Sequence, residues 1–196
     1  MEPLALLLTA AGIDGPDDRT RTVAAAKAGD LEAFERLMRQ QERLVLATAV
    51  RLLGNLEDAQ DAAQEVFLRL YRNLANVQTS GNLTGWLYRV TVNVCHDQRR
   101  KRPDTALMED ASDVAAPAAD PQRELTEAER RRALELSLRL LSQKERAALV
   151  LRDLEGLSTA EVAAALGSSE ATIRSQISKA RVKVRNFIEH YFRRRS

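Results

Sequence analysis

The segment Leu157 to Ile177 (LSTAEVAAALGSSEATIRSQI) holds the side chains best suited to chemistry on a polyanion. It reads as a short helix, a turn at Gly167 and a second helix, because glycine takes the left-handed backbone conformation that lets two helices cross steeply. Val162, Leu166, Ile173 and Ile177 are spaced to pack the pair together, and Ala163 permits close approach. The outward face of the second helix then presents Thr172, Arg174, Ser175, Gln176 and Lys179, donors fitted to base edges and phosphates in a major groove. Arg181, Lys183 and Arg185 continue the basic tract, where phosphate contacts would give salt-dependent affinity. A basic helix solvated on a bundle would carry the same charges. The helix-turn-helix spacing combined with the polar face favours DNA binding.

Other constellations are less specific. Arg89, Asn93, Asp97 and Arg100 fall close to one face of a helix that ends in the basic run Arg99–Arg102. Such a run also serves to offset a helix dipole. Cys95-His96 invites a metal reading, but adjacent ligands without a second Cys/His pair support it weakly. One partly buried thiol beside one surface imidazole is the better expectation. No Gly-rich phosphate loop, paired-histidine motif or Ser/His/Asp arrangement stands out, and the chain has only two histidines. No cofactor or metal is expected, and no enzyme activity.

The elements that must position these residues are helical. Ala, Leu, Arg and Glu abound, aromatics are 4% and charged residues 30%, the composition of a soluble all-α protein. Val23, Ala26, Phe34, Leu37, Leu44, Leu46, Val50 and Leu53 recur at helical spacing. Gly54-Asn55 breaks that run, and Asn55 is placed to cap the next helix, whose apolar stripe is Ala59, Ala62, Ala63, Val66, Phe67 and Leu70. A further helix is expected from about Trp86 to Arg102. Val90, Val92 and Val94 alternate like a strand there, but Leu87, Val90 and Val94 also fit the helical period. Three capping-box patterns, Thr126…Glu129, Ser142…Glu145 and Ser158…Glu161, mark helix starts in the second half.

The expected organisation is a flexible leader over 1–21, a helical domain over 22–102, a linker over 103–122, a helix-turn-helix domain over 123–192 and a basic tail over 193–196. The linker has three prolines, six alanines and an acidic excess, with little to bury. The two domains are therefore expected to fold separably. Net charge is only +2, but it is segregated: acidic at 57–65 and 104–120, basic at 99–102, 174–185 and 193–195. Such a chain can meet a polyanion on one face and a basic partner on another. The single cysteine excludes an internal disulfide and suits a reducing cytoplasm. The apolar run Leu4 to Ala11 is too short to span a bilayer, and no membrane insertion is expected.

The block LSQKERAALVLRDLEGLSTAEVAAALGSSEATIRSQISKARVKVR resembles region 4 of extracytoplasmic-function sigma factors of the sigma-70 family. In the first half, NLEDAQDAAQEVFLRLYRNL resembles region 2.2, and GWLYRVTVNVCHDQRRKR resembles regions 2.3 and 2.4. The resemblance implies two helical domains joined by a flexible linker. The first would bind the β′ subunit of core RNA polymerase and the −10 element of promoter DNA, and the second the β subunit and the −35 element. It implies polymerase-facing roles for Asp58, Asp61, Gln64 and Glu65, with Gln60 standing where the family often has an acidic residue. It implies −10 contacts by Val77, Asn82, Arg89, Asn93, Asp97 and Arg100, with Asn93 reading an unpaired base. Val77 lies in a loop resembling one that captures a flipped base, where the family sometimes has an aromatic residue. It implies −35 contacts by Arg152, Thr172, Arg174, Ser175 and Lys179, with Gln176 and Ser178 replacing bulkier or more basic residues. The linker resembles a segment that threads toward the RNA exit path. An anti-sigma protein is a further implied partner, and a stress or envelope-response regulon the implied target. A stand-alone helix-turn-helix regulator binding duplex DNA as a dimer is the rival reading; the sigma-like first half stands against it.

Overall fold

The computed structural model describes residues 16–76, 83–101 and 126–193. Among them every regular element is helical. The first half comprises α1 (Pro16–Lys27), α2 (Leu31–Leu53), α3 (Leu56–Asn73), a 3-10 turn (Leu74–Asn76) and α4 (Leu83–Lys101). The second comprises α5 (Glu127–Arg139), α6 (Gln143–Leu149), a π-helical turn (Val150–Leu154), α7 (Thr159–Leu166) and α8 (Glu170–Arg193). The all-α expectation is borne out, and the valine alternation in α4 is helical.

The helix ends follow the expected local chemistry. Gly54 closes α2 at φ 88°, a left-handed position that lets its N–H donate to the Val50 carbonyl. Asn55 Oδ1 accepts from the Asp58 N–H at 2.8 Å and starts α3. Thr126, Ser142 and Ser158 each form a reciprocal capping box, with Glu129, Glu145 and Glu161 respectively. Two boundaries differ from expectation. α1 begins at Pro16, inside the stretch read as a leader; a proline followed by Asp17 and Asp18 is itself a helix-start sequence. α4 begins at Leu83, because Leu83 and Leu87 share the buried face that continues into Val94 and Cys95.

In the first half α2, α3 and α4 pack around Leu37, Val45, Ala49, Leu52, Ala59, Ala62, Val66, Leu70, Leu87 and Val92. The alanines of α3 leave no side-chain bulk between helix axes, so α2 can lie close. In the second half Val162 and Ile173 are fully buried and Ile177 is nearly so, and Gly167 turns α7 into α8 at φ 60°. Two carboxylates fasten α8 to the preceding helices. Arg181 makes paired hydrogen bonds to Asp153 at 2.9 and 2.7 Å, and Lys183 Nζ reaches both oxygens of Glu145 at 2.9 and 2.8 Å.

The two halves pack against each other. Buried residues of both halves form one apolar cluster. The carboxyl end of α2 is the hub. Its Leu52 carbonyl accepts from Arg146 Nη1 of α6 at 2.8 Å and from Arg99 Nη1 of α4 at 3.2 Å, while the Gly54 carbonyl accepts from Arg139 Nη2 of α5 at 3.2 Å. Carbonyls at a helix end lack intrahelical donors and carry partial negative charge, which suits guanidinium groups. The segments 1–15, 77–82, 102–125 and 194–196, which include the expected linker and most of the basic tail, lie outside the described residues.

Candidate nucleic-acid and polymerase interface

The helix-turn-helix is built as expected. Val162 of α7 and Ile173 and Ile177 of α8 form the buried seam, leaving Thr172, Arg174, Ser175 and Lys179 exposed on α8. Ser169 caps the start of α8: its Oγ accepts from the Thr172 N–H at 3.2 Å and lies 2.8 Å from the Thr172 hydroxyl. Arg174 pairs with Glu170 one turn earlier at 2.9 Å, an exposed contact that holds the guanidinium loosely. Gln176, expected outward, is half-buried. Arg152 sits on the π-helical turn, where its Nη1 donates to the Leu157 carbonyl at 3.0 Å and braces the loop before α7. Arg181 and Lys183, expected to face phosphates, are engaged by Asp153 and Glu145 instead; Arg185 is exposed.

α4 presents Arg89, Asn93 and Arg100 exposed and Asp97 half-buried along one face, at the spacing of successive turns. Arg100 lies 3.4 Å from Asp97. Arg89 is already occupied: its Nη2 donates to the Ala164 carbonyl of α7 at 2.6 Å. Val77 and Asn82 lie outside the described residues. Trp86 is half-buried against the core and lines a cleft of about 580 Å³ between α4 and α7, together with Arg89, Glu155, Leu157 and Glu161.

The polymerase-facing set splits in two. Asp61 and Gln64 line a groove of about 510 Å³ between α2 and α3, with Glu57, Gln60, Arg39, Glu42 and an apolar floor of Met38, Leu46 and Phe67. Asp58 and Glu65 stand beside it: Asp58 accepts from Asn55 Nδ2 at 2.7 Å, and Glu65 accepts from Arg69 at 2.7 Å. The groove combines an acidic-polar rim with apolar depth, the character that receives a basic amphipathic helix.

Cys95 is fully buried, and burial pushes its thiol pKa up to about 12. His96 is not the surface imidazole expected from the sequence. It is half-buried at the seam, its Nε2 without a hydrogen-bond partner among the described residues, and its pKa is held below the ordinary value by burial, against the nearby Gln143 backbone of α6. No group of His, Cys, Asp and Glu among the described residues is arranged to hold a metal.

Sequence reasoning missed the residues that join the halves. Glu155 accepts hydrogen bonds from Thr48 Oγ1 at 3.0 Å, from Arg51 Nη1, and from Tyr88 OH at 3.2 Å. Burial, then the Glu155 charge, raise the Tyr88 pKa well above its ordinary value. Arg146 is only 2% exposed, and burial lowers its pKa to about 10, which leaves it charged at neutral pH. A charged residue inside an apolar run (ERAALVL) was the available signal for Arg146; Glu155 had none.

The chain matches two family profiles, Sigma-70 region 2 over residues 37–104 and Sigma-70 region 4 over residues 131–184. It is 35% identical over 182 residues to the ECF RNA polymerase sigma factor SigE of Mycolicibacterium smegmatis, covering 90% of this chain and 70% of that protein. It is 32% identical over 179 residues to SigM of Mycobacterium tuberculosis, covering 89% and 88%. In fold it resembles CnrH, solved in complex with the cytosolic domain of CnrY, at a TM-score of 0.64 and 24% identity over 88% of this chain and 97% of that one. It also resembles RpoE of Bartonella quintana, solved with the anti-sigma factor NepR, at 0.63 and 22% over 81% and 98%. No described helix is long and apolar enough to cross a membrane. With both regions matched in order and full-length relatives of the same kind, the chain belongs to the extracytoplasmic-function family of RNA polymerase sigma factors, whose members recognise promoters and direct transcription initiation.

Proposed function

We propose that the α2–α3 groove, with Asp61 and Gln64 on its rim and Asp58 and Glu65 beside it, docks a basic helical element of the core polymerase β′ subunit. The exposed face of α4 then reads the −10 element, with Asn93 at an unpaired base and Arg89, Asp97 and Arg100 around it, completed by Val77 and Asn82. α8 enters the major groove of the −35 element with Thr172, Arg174, Ser175 and Lys179, Arg152 supports it, and the second unit as a whole docks on the β subunit. In this reading the working domains are 22–102 and 123–192, joined by 103–122. The observation that carries it is the exposed polar face of α8 on a helix-turn-helix, in one chain with the groove.

In this function the chain acts in the cytoplasm, on a stress or envelope-response regulon, and supplies no catalytic group; bond formation belongs to the polymerase. An anti-sigma protein is its expected regulator, as one accompanies the structurally similar RpoE of Bartonella quintana. The test is capture of bacterial core RNA polymerase by the purified chain, followed by transcription from a promoter library. Core capture with initiation at a shared two-element sequence is the expected result. Tight duplex binding with a palindromic footprint and no core capture would establish the stand-alone regulator instead.

A further inference from the structure

Three basic residues follow the base-reading turns of α8, and the fold treats them differently. Arg185 is exposed, whereas Arg181 and Lys183 are held by carboxylates of the same helical unit. Arg181 stands seven positions after Arg174, which puts the two on one flank of α8, about 10 Å apart along its axis. Lys183 stands four positions after Lys179, on the flank that begins with Thr172. Each flank thus runs from side chains assigned to DNA to a cation that the fold has already neutralised.

The tie on Arg181 has the form of a phosphate contact. Its Nε and Nη2 donate to the two oxygens of Asp153 at 2.9 and 2.7 Å, the planar fork that fits a carboxylate and a phosphate alike. Asp153 is carried by the π-helical turn, next to Arg152, whose Nη1 braces the loop before α7. The acceptor is therefore fixed to the body of the helix-turn-helix. Arg174, by contrast, shares a single exposed contact with Glu170 and is easily released. Moving Arg181 to a DNA phosphate would exchange one charge-assisted pair for another and leave the Asp153 carboxylate uncompensated beside a polyanion, so the exchange gains little. Glu145 restrains Lys183 in the same way, but it also closes the capping box with Ser142, so Asp153 is the separable case.

We infer that Asp153 is an intramolecular stand-in for a DNA phosphate: it ties Arg181 down and keeps the sequence-independent part of duplex binding low, leaving promoter choice to the base-reading face of α8. The inference rests on the proposed −35 role of α8. One phosphate contact steepens the fall of log affinity with log salt by about 0.9 and acts on all duplexes alike. Withholding it shortens retention on bulk DNA without changing the ratio between right and wrong elements.

The experiment reconstitutes holoenzyme from bacterial core RNA polymerase and the full chain as wild type, as Asp153→Asn, and as Asp153→Asn combined with Arg181→Gln. The probes are a duplex of the promoter recovered from the library and the same duplex with its −35 element scrambled. Their Kd values are measured between about 50 and about 200 mM salt, in the cold so that the strands stay paired. Circular dichroism checks helix content. Asp153→Asn removes the charge at constant shape. It is expected to bind both duplexes about 3- to 10-fold more tightly at the low-salt end, with a slope steeper by about 0.9. Its advantage should shrink about 3.5-fold across that salt range, with the ratio between the two duplexes unchanged. The double variant should return to the wild-type slope. An unchanged slope in Asp153→Asn, with weaker binding to the matched duplex alone, would make Asp153 a brace of α8 and overturn the inference. A double variant shallower than wild type by about 0.9 would also overturn it, because Arg181 would then reach phosphate in the native chain. If wild-type holoenzyme does not distinguish the two duplexes, the −35 reading itself falls and takes the inference with it.

Discussion

Arg146 Nη1 donates to the carbonyl oxygen of Leu52 at 2.8 Å, joining α6 to the carboxyl end of α2. Among the described residues no carboxylate pairs with this guanidinium, and burial, then the neighbouring Arg99 and Arg139, lower its pKa. The carbonyls of Leu52 and, more distantly, Leu141 replace part of the lost hydration, while its buried Nε has no hydrogen-bond partner among the described residues.

Arg146→Ala should therefore destabilise the chain by about 2–4 kcal/mol, since it empties a fully packed site and withdraws a donor from a buried carbonyl. Arg146→Met should cost less, about 1–2 kcal/mol, because it keeps most of the volume and leaves Leu52 still bonded to Arg99. Urea denaturation followed by circular dichroism checks both values. Equal losses in the two variants would mean that the guanidinium hydrogen bonds, not the packing, dominate.

His96 gives the seam a pH dependence. Burial holds its pKa below the ordinary value, against Asp97 and the Gln143 backbone, which favour the proton, while Arg99 and Lys144 oppose it. Its neutral form is thus preferred in the folded chain. Below about pH 6.5 the unfolded chain binds the proton first, so stability is complete above that pH and declines as pH falls toward the depressed folded value. The slope from this one group is at most ~1.4 kcal/mol per pH unit. Glu145 acts in a lower window: the Lys183 hydrogen bond lowers its pKa, so its contribution is lost only as pH falls below the ordinary carboxylate range. Urea midpoints between pH 5 and 7.5 should fall with acid in the wild type and be flatter in His96→Asn. Parallel curves would remove His96 as the cause.

These seam residues show where sequence reading stops. The caps at Asn55, Thr126, Ser142 and Ser158 were legible because donor and acceptor sit three positions apart, within one turn. The α7–α8 pair was legible because Gly167 and the apolar spacing are local. Glu155 meets Thr48 across 107 positions, and no local period marks such a pair. The ion pairs of Arg181 and Lys183 were hidden for the same reason. Both residues continue a basic tract along the sequence, but their carboxylate partners, Asp153 and Glu145, lie on other helices. His96 was expected at the surface because the residues that approach it, Gln143 and Lys144, lie far along the sequence.

Cys95 should be chemically silent. With its thiol pushed up to about 12 and its side chain fully buried, almost no thiolate is present or accessible at neutral pH. The native chain at pH 8 should react with a thiol-specific dye at least about 100-fold more slowly than the same chain in urea. Reaction at the unfolded rate would show that α4 opens readily, and would recast the core of the first half as loosely held.

Asn93 and Arg174 separate the two promoter contacts without disturbing the fold, since both are exposed. Asn93→Ala should weaken or relax −10 discrimination by about 1–3 kcal/mol, the worth of one good side-chain contact to a base edge. It should leave −35 dependence unchanged. Arg174→Ala should instead weaken −35-dependent binding with core capture intact. It also releases Glu170, but an exposed pair one helical turn apart is worth only about 0.3–0.5 kcal/mol, too little to mimic loss of a DNA contact. The measurement is holoenzyme binding to promoter variants altered in one element at a time, at fixed salt. Equal loss of core binding in both variants would signal misfolding and withdraw both assignments. Loss confined to the matching element would place α4 and α8 on separate stretches of DNA.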